Sequence, residues 1–252
     1  MPACVQRVQL VRHSASPEEL TALGARLCYA GGDVDSLLRK IEEKDQRAFV
    51  EKIMSMGHES VLEHVSFTFL VEGVSRVLLA QLTRHRIASF SVQSQRYVSY
   101  AGGFGYVIPP AVHRLGEQAV REYEAQMAQM QSWYEQWQKR LGDAGESSNE
   151  DARFVLPNAC ETRVLLTMNA RELRHFFALR MCSRAQWEIR SLAQSMFELC
   201  YDAAPALFGD AGPGCLRGAC PEGAKSCGRA QEIRDARRAF LAERGRNAEA
   251  IR

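Results

Sequence analysis

The sequence predicts an α+β fold, a mixed or antiparallel sheet flanked by long helices. Three observations carry that prediction. Strand-like alternation and helix-like periodicity are intermixed along the chain without a regular βαβ rhythm. The 252 residues are 46% hydrophobic, enough to bury a substantial core as one large domain or two small ones. After Pro205 the composition turns to Gly, Pro, Cys and charge, which divides the chain into a main domain, 1–210, and a loop-rich, Cys-containing tail, 211–252.

Taken in order, Val5 to Val11 fits a strand. A helix follows, with Ser16 as N-cap, Pro17 in its first turn and Glu19 closing a capping box. Asp35 to Met56 reads as one helix that Gly57 ends. Val65, Phe67, Phe69 and Val71 alternate with mostly polar neighbours, the period of a half-buried strand. Val74 to Arg86 reads as an apolar helix ending in Arg-His-Arg, and Tyr97 to Tyr100 as strand-like. A Gly- and Pro-bearing loop, 101–110, leads into an amphipathic helix over Ala111 to Leu141, then a polar loop to Asn149. Thr162 to Met168 suits a short strand, and a long helix runs from Asn169 towards Tyr201.

Charge excludes some partners. With 32 basic and 30 acidic residues the net charge is +2, so there is no general electrostatic case for nucleic acid or a membrane surface. No signal peptide is visible, and apolar stretches are interrupted well short of a membrane span. Eight cysteines in that setting suggest free thiols in a reducing cytoplasm, and Cys4, Cys28, Cys160, Cys182 and Cys200 sit among apolar neighbours.

Two constellations carry chemistry. In the first, Gln81 precedes Arg84, His85 and Arg86, and then Ser89, Ser91, Gln93, Ser94, Gln95 and Arg96 crowd hydroxyl, amide and guanidinium groups into a few residues. An arginine fork and serine hydroxyls in a turn are suited to a phosphate, so a phosphorylated ligand is expected, of a kind this chemistry does not specify. A nucleotide- or RNA-binding module would use the same residues, although the near-neutral charge counts against it. In the second, Asn169 and Glu172 have capping-box spacing at a helix start whose first turn holds Arg171. At about 100° per residue, Asn169 and Arg180 share a face with Leu173, Phe176 and Trp187. Arg171 and His175 form an i, i+4 pair on another face. An arginine on an apolar stripe needs a partner, and a ligand anion would serve.

Two smaller clusters invite a metal reading. GHESVLEH, from Gly57 to His64, lacks the His-Glu-x-x-His spacing, and Ser60 with Glu63 fits a capping box. In the tail, Cys215, Cys220 and Cys227 are one ligand short of a closed structural zinc site. No metal is expected.

The run RHR, seven residues, then Ser94, continued by SQRY, resembles the defining motif of the flavin-dependent thymidylate synthases. The Asn169-x-Arg171, Arg180 and Ala-Gln-x-Glu-Ile pattern, and the GHExxxEH segment, are similar to the same family, and the likeness runs over nearly the whole chain. The resemblance implies that fold, with 1–210 as the catalytic domain of a cytoplasmic homotetramer whose active sites are shared between subunits. It implies FAD as cofactor, with NADPH and 5,10-methylenetetrahydrofolate as co-substrates, in the reductive methylation of dUMP to dTMP. By the same match His58, Ser60, Arg84, His85, Arg86, Asn169, Arg171 and His175 contact the flavin, and Glu63 lies nearby. Gln81, Arg84, Ser94, Gln95, Arg96, Arg153 and Arg180 bind dUMP, with Arg153 supplied by a neighbouring subunit. Arg180 is the catalytic residue, stabilising negative charge that develops on the pyrimidine, and no cysteine nucleophile is needed. Val92 stands where many members carry Glu or Gln, His175 where many carry Asn, and Arg184 where many carry His.

Overall fold

The structure is a computed structural model that describes residues 2–250, with side chains described through residue 245. Residue 1 and residues 251–252, the outer ends of the two expected segments, lie outside the described residues. In chain order the elements are β1 (Arg7–His13), α1 (Pro17–Leu27), α2 (Val34–Glu42), α3 (Arg47–Ser55), β2 (Ser66–Ser75), α4 (Arg76–Leu82) and β3 (Ala88–Val92). There follow α5 (Pro110–Arg114), α6 (Glu117–Arg140), α7 (Glu146–Ala152), β4 (Glu161–Asn169), α8 (Ala170–Arg180), α9 (Trp187–Ala203), α10 (Pro205–Phe208) and α11 (Ala230–Ala250). The strands form one small antiparallel sheet in the order β1-β2-β4-β3. The α+β class is therefore as expected.

Several long helices are shorter than their periodicity suggests, each for a local reason. Asp35 to Met56 splits into α2 and α3 because buried Gln46 turns its amide back onto the carbonyls of Ile41 (3.0 Å) and Lys44 (2.8 Å). Ala111 to Leu141 breaks at Gly116, whose φ of +99° a residue with a Cβ would resist. The helix from Asn169 stops at Arg180 and restarts at Trp187, where the Gln186 side chain accepts from the backbone N–H groups of Glu188 (2.9 Å) and Ile189 (3.1 Å). Helix α4 ends at Leu82, so Arg84, His85 and Arg86 belong to the turn that enters β3, not to a helical end.

Other expectations are corrected. Ser16 adopts left-handed φ/ψ and its side chain caps nothing, so α1 starts on Pro17 alone. Residues 146–152 of the expected polar loop are helix α7. Tyr97 to Tyr100 is not a strand; the strand is β3, just upstream. Residues 211–228 are loop with two short 3-10 turns, but α11 occupies 230–250, so the tail is not loop-rich throughout.

The chain divides into two compact units, residues 1–9 with 69–167 and residues 10–68 with 168–252. The boundaries fall inside β1, β2 and β4. The first unit's core gathers Tyr100, Phe104, Tyr106, Ile108, Met127 and Tyr134. The second is built on aromatic edges: Phe208 meets Phe67 at 5.4 Å and Phe177 at 5.9 Å, and Phe177 meets Phe197 at 5.7 Å.

Candidate functional site

Each unit carries one of the two constellations. In the first, Ser75 caps α4 by accepting from the backbone N–H of Leu78 (3.1 Å), and Arg76 reaches forward to donate to the Gln93 carbonyl (3.0 Å). The start of α4 is thereby tied to the end of β3. On β3 the residues alternate: Ala88, Phe90 and Val92 are half-buried, and Ser89 and Ser91 are exposed. Val92 thus completes the inner row of an edge strand, which gives its apolar side chain a packing role. Arg84 and Arg86 are exposed, His85 is buried and Gln81 is half-buried.

After β3 the chain turns on Ser94. Its hydroxyl accepts from the backbone N–H groups of Arg96 (3.1 Å) and Tyr97 (3.4 Å), which leaves its own proton free to be donated. Arg96 extends from this turn to Glu146 (2.8 Å) and Glu150 (3.4 Å), and its Nε is buried without a partner. Gln95 donates to the Cys160 sulphur (3.7 Å), and burial pushes that thiol up to about 11, so it is protonated at neutral pH. Arg153 lies in a 3-10 turn after α7 and donates to the Glu150 carbonyl (3.0 Å).

The loop beyond Arg96 is held by residues that sequence reasoning missed. The buried stripe of α6 is Met127, Gln131, Tyr134 and Gln138, three of them polar. Gln131 donates to the Tyr100 carbonyl (2.8 Å), Gln138 to the Ser99 hydroxyl (3.1 Å), and Tyr134 accepts from the Tyr100 N–H (3.3 Å). Buried Asn149 joins them, donating to the Arg96 carbonyl (2.9 Å) while its oxygen accepts from Tyr134 (3.2 Å). Buried polar groups persist where they are satisfied, and here their donors are satisfied by one another and by the loop that carries Arg96. The signal was available as Gln131, Tyr134 and Gln138, polar residues at i+4, i+7 and i+11 from Met127 on the apolar face of a long helix.

In the second unit Asn169 caps α8 as expected, its side chain accepting from the Glu172 N–H (2.8 Å). Arg171 and His175 are both exposed, consistent with one outward face. Arg171 pairs with Glu63, which stands in the 3-10 turn Glu59–His64. His58 and Ser60 are exposed at the start of that turn, and the expected capping box of Ser60 with Glu63 is absent.

The apolar stripe of α8 holds a different arginine from the one expected. Leu173, Phe176 and Phe177 are fully buried, and Arg174 is buried with them at 5% exposure. It donates to Asp210 through both terminal nitrogens (2.6 and 3.0 Å), to the Leu207 carbonyl (2.7 Å) and to Glu59 (3.3 Å). Burial alone would raise the Asp210 pKa, but the hydrogen bond and charge of Arg174, helped by Arg217, hold it below the ordinary aspartate value. Arg180, the last residue of α8, is half-buried and already engaged within the chain, so it is not the isolated guanidinium that the helical spacing suggested.

Comparison with known proteins gives a consistent result. A family model described as thymidylate synthase complementing protein matches residues 9–206. A flavin-dependent thymidylate synthase of Geobacter sulfurreducens is 52% identical over 229 residues, covering 90% of this chain and 96% of that one. One from Clostridium tetani is 44% identical over 238 residues, covering 90% and 95%. Among solved structures, a UMP/dUMP methylase from Streptomyces cacaoi bound with 5-Br dUMP is similar with a TM-score of 0.63 and 28% identity, over 81% of this chain and 93% of that one.

Proposed function

The chain belongs to the family of flavin-dependent thymidylate synthases, and on that premise we propose that it methylates dUMP to dTMP, with 5,10-methylenetetrahydrofolate as carbon donor and NADPH-reduced FAD as electron source. The observation that carries the reading is the Ser94 turn. One hydroxyl with a free proton, a half-exposed guanidinium and a buried, unpartnered Nε on Arg96 form a donor set that suits a nucleotide monophosphate. Gln81, Gln95 and Arg153 complete the nucleotide side in this reading.

The flavin side uses Arg84, His85, Arg86, His58, Ser60, Asn169, Arg171 and His175. The exposed cations Arg84 and Arg86 suit the diphosphate of FAD. When bound, the flavin would supply the reducing equivalents. The protein's own contribution is electrostatic. Arg180 faces the pyrimidine and offsets the negative charge that develops on it as the new carbon bond forms. A thiolate nucleophile has no support at the phosphate turn, since the Cys160 thiol beside Gln95 keeps its proton at neutral pH. The same reading includes a homotetramer in which Arg153 serves a neighbouring subunit's site.

The purified protein should be yellow and bleach with NADPH, and should release tritium from 5-labelled dUMP when methylenetetrahydrofolate is present. Arg180→Ala should keep FAD yet lose roughly 100-fold or more in dTMP formation, the scale for removing one charge-stabilising donor. Retained turnover in that variant would sink the role of Arg180.

A further inference from the structure

The tail cysteines acquire in the fold what they lack in the sequence. Cys182, in the turn that leaves α8, belongs to the same unit as Cys215, Cys220 and Cys227. Three sets of contacts hold the segments that carry them against one another. Arg184, two residues beyond Cys182, pairs with Glu222 (3.2 Å) and donates to the Lys225 carbonyl (3.1 Å), which fixes the loop on either side of those residues against the α8 exit. Gly214 is packed so closely on Pro221 that an added Cβ would sit 2.9 Å from its ring, which holds the backbone next to Cys215 against the backbone next to Cys220. Arg234 of α11 clamps the loop by donating to the carbonyls of Cys215 (2.8 Å) and Gly218 (2.6 Å).

We propose that Cys182, Cys215, Cys220 and Cys227 form a tetrathiolate site for one zinc ion, which ties the tail loop to the end of α8. Zinc takes four sulphurs in a closed structural site, and Cys215 and Cys220, with four residues between them, fall within the spacing of a ligand pair in such sites. All four are free thiols in the chain, so no disulfide competes. Their placement agrees with the grouping. Cys182, Cys220 and Cys227 each lie within electrostatic reach of buried Cys215. The Cys227 side chain lies beside Ser183, the neighbour of Cys182.

Among the described residues no group of three or more such side chains is already gathered as a metal centre. Protonated thiols have no reason to converge, because the ion itself supplies the attraction and the four protons leave to solvent as it binds. Cys220 and Cys227 lie on a loop with glycines at 218, 223 and 228, so contraction asks little of the backbone.

Elemental analysis of the full-length protein, expressed with zinc in the medium, is the deciding measurement. About one zinc per chain is expected, with the four thiols slow towards Ellman's reagent until a mercurial releases the metal. Replacing zinc by cobalt should give the charge-transfer absorption of a tetrahedral cobalt thiolate. Cys220→Ser and Cys227→Ser should each lose most of the zinc while circular dichroism retains the helical signal. A zinc-free wild-type protein whose four thiols react at free-thiol rates, or are paired as disulfides, would overturn the proposal, whatever the variants do.

Discussion

Arg96 and Arg174 both face two carboxylates, and the surroundings of each decide what it is for. Arg96 leaves the Ser94 turn with its side chain 39% exposed, between Glu146 and Glu150, which are more exposed still. Pairs of that kind contribute 0–1 kcal/mol, so an incoming phosphate can displace them at little cost. The side chain of Arg174 is 4% exposed and clamped by Asp210, Glu59 and a carbonyl. Removing a partner there strands a charge away from water. The same side chain is therefore open to an incoming ligand in one unit and a structural bolt in the other, and burial is what separates them.

The sharpest way to break the comparison is to remove the bolt. Arg174→Ala should destabilise the protein by about 3 kcal/mol, near the low end for a buried pair because Asp210 and Glu59 can be rehydrated. A urea midpoint that scarcely moves would show Arg174 to be as dispensable as a surface cation. Acid offers a second test with a definite sign. Asp210 is held below its unfolded value of about 3.9, so its contribution is complete above that pH and is lost as pH falls through the lower folded value. Asp210→Asn should remove that part of the acid limb in a pH series of unfolding midpoints.

Next in size is the support behind the Ser94 turn. Asn149→Ala leaves the Arg96 carbonyl without its donor and the Tyr134 O–H and Gln138 amide without their acceptor, which should cost about 1–3 kcal/mol. Because the same bond positions Arg96, KM for dUMP should rise while kcat stays nearly constant. A fall in kcat with KM unchanged would mean that Asn149 serves the fold alone.

These residues also mark where the sequence was legible. The Ser94 turn, the Asn169 cap and the inner row of β2 were readable because each depends on neighbours within a few positions. Arg174 was missed although Ala170, Leu173, Arg174 and Phe177 share the helical spacing of a buried stripe. Arg180 stands at the end of that helix, where periodicity says least about burial. Strand β3 was missed because Ser89 and Ser91 were read as ligand donors, when their alternation with Ala88, Phe90 and Val92 was the stronger signal. The breaks in the long helices rest on single side chains such as Gln46 and Gln186 turning onto backbone. Binary patterning cannot register such contacts.

The smallest expected effect is also the one that tests the surface half of the comparison most directly. Glu146→Gln with Glu150→Gln removes both charges facing Arg96 while keeping the shape and hydrogen-bonding reach of the side chains. Stability should change by less than about 1 kcal/mol, since both pairs are half in water. The freed guanidinium should hold the dUMP phosphate more firmly, so KM for dUMP should fall by up to about fivefold, the equivalent of about 1 kcal/mol. The gain should shrink as salt is added, because screening weakens what the carboxylates were competing with. A rise in KM would mean that Glu146 and Glu150 aim Arg96 at the phosphate instead of competing for it. The exposed pair would then be a positioning device, and the distinction from Arg174 would be one of degree only.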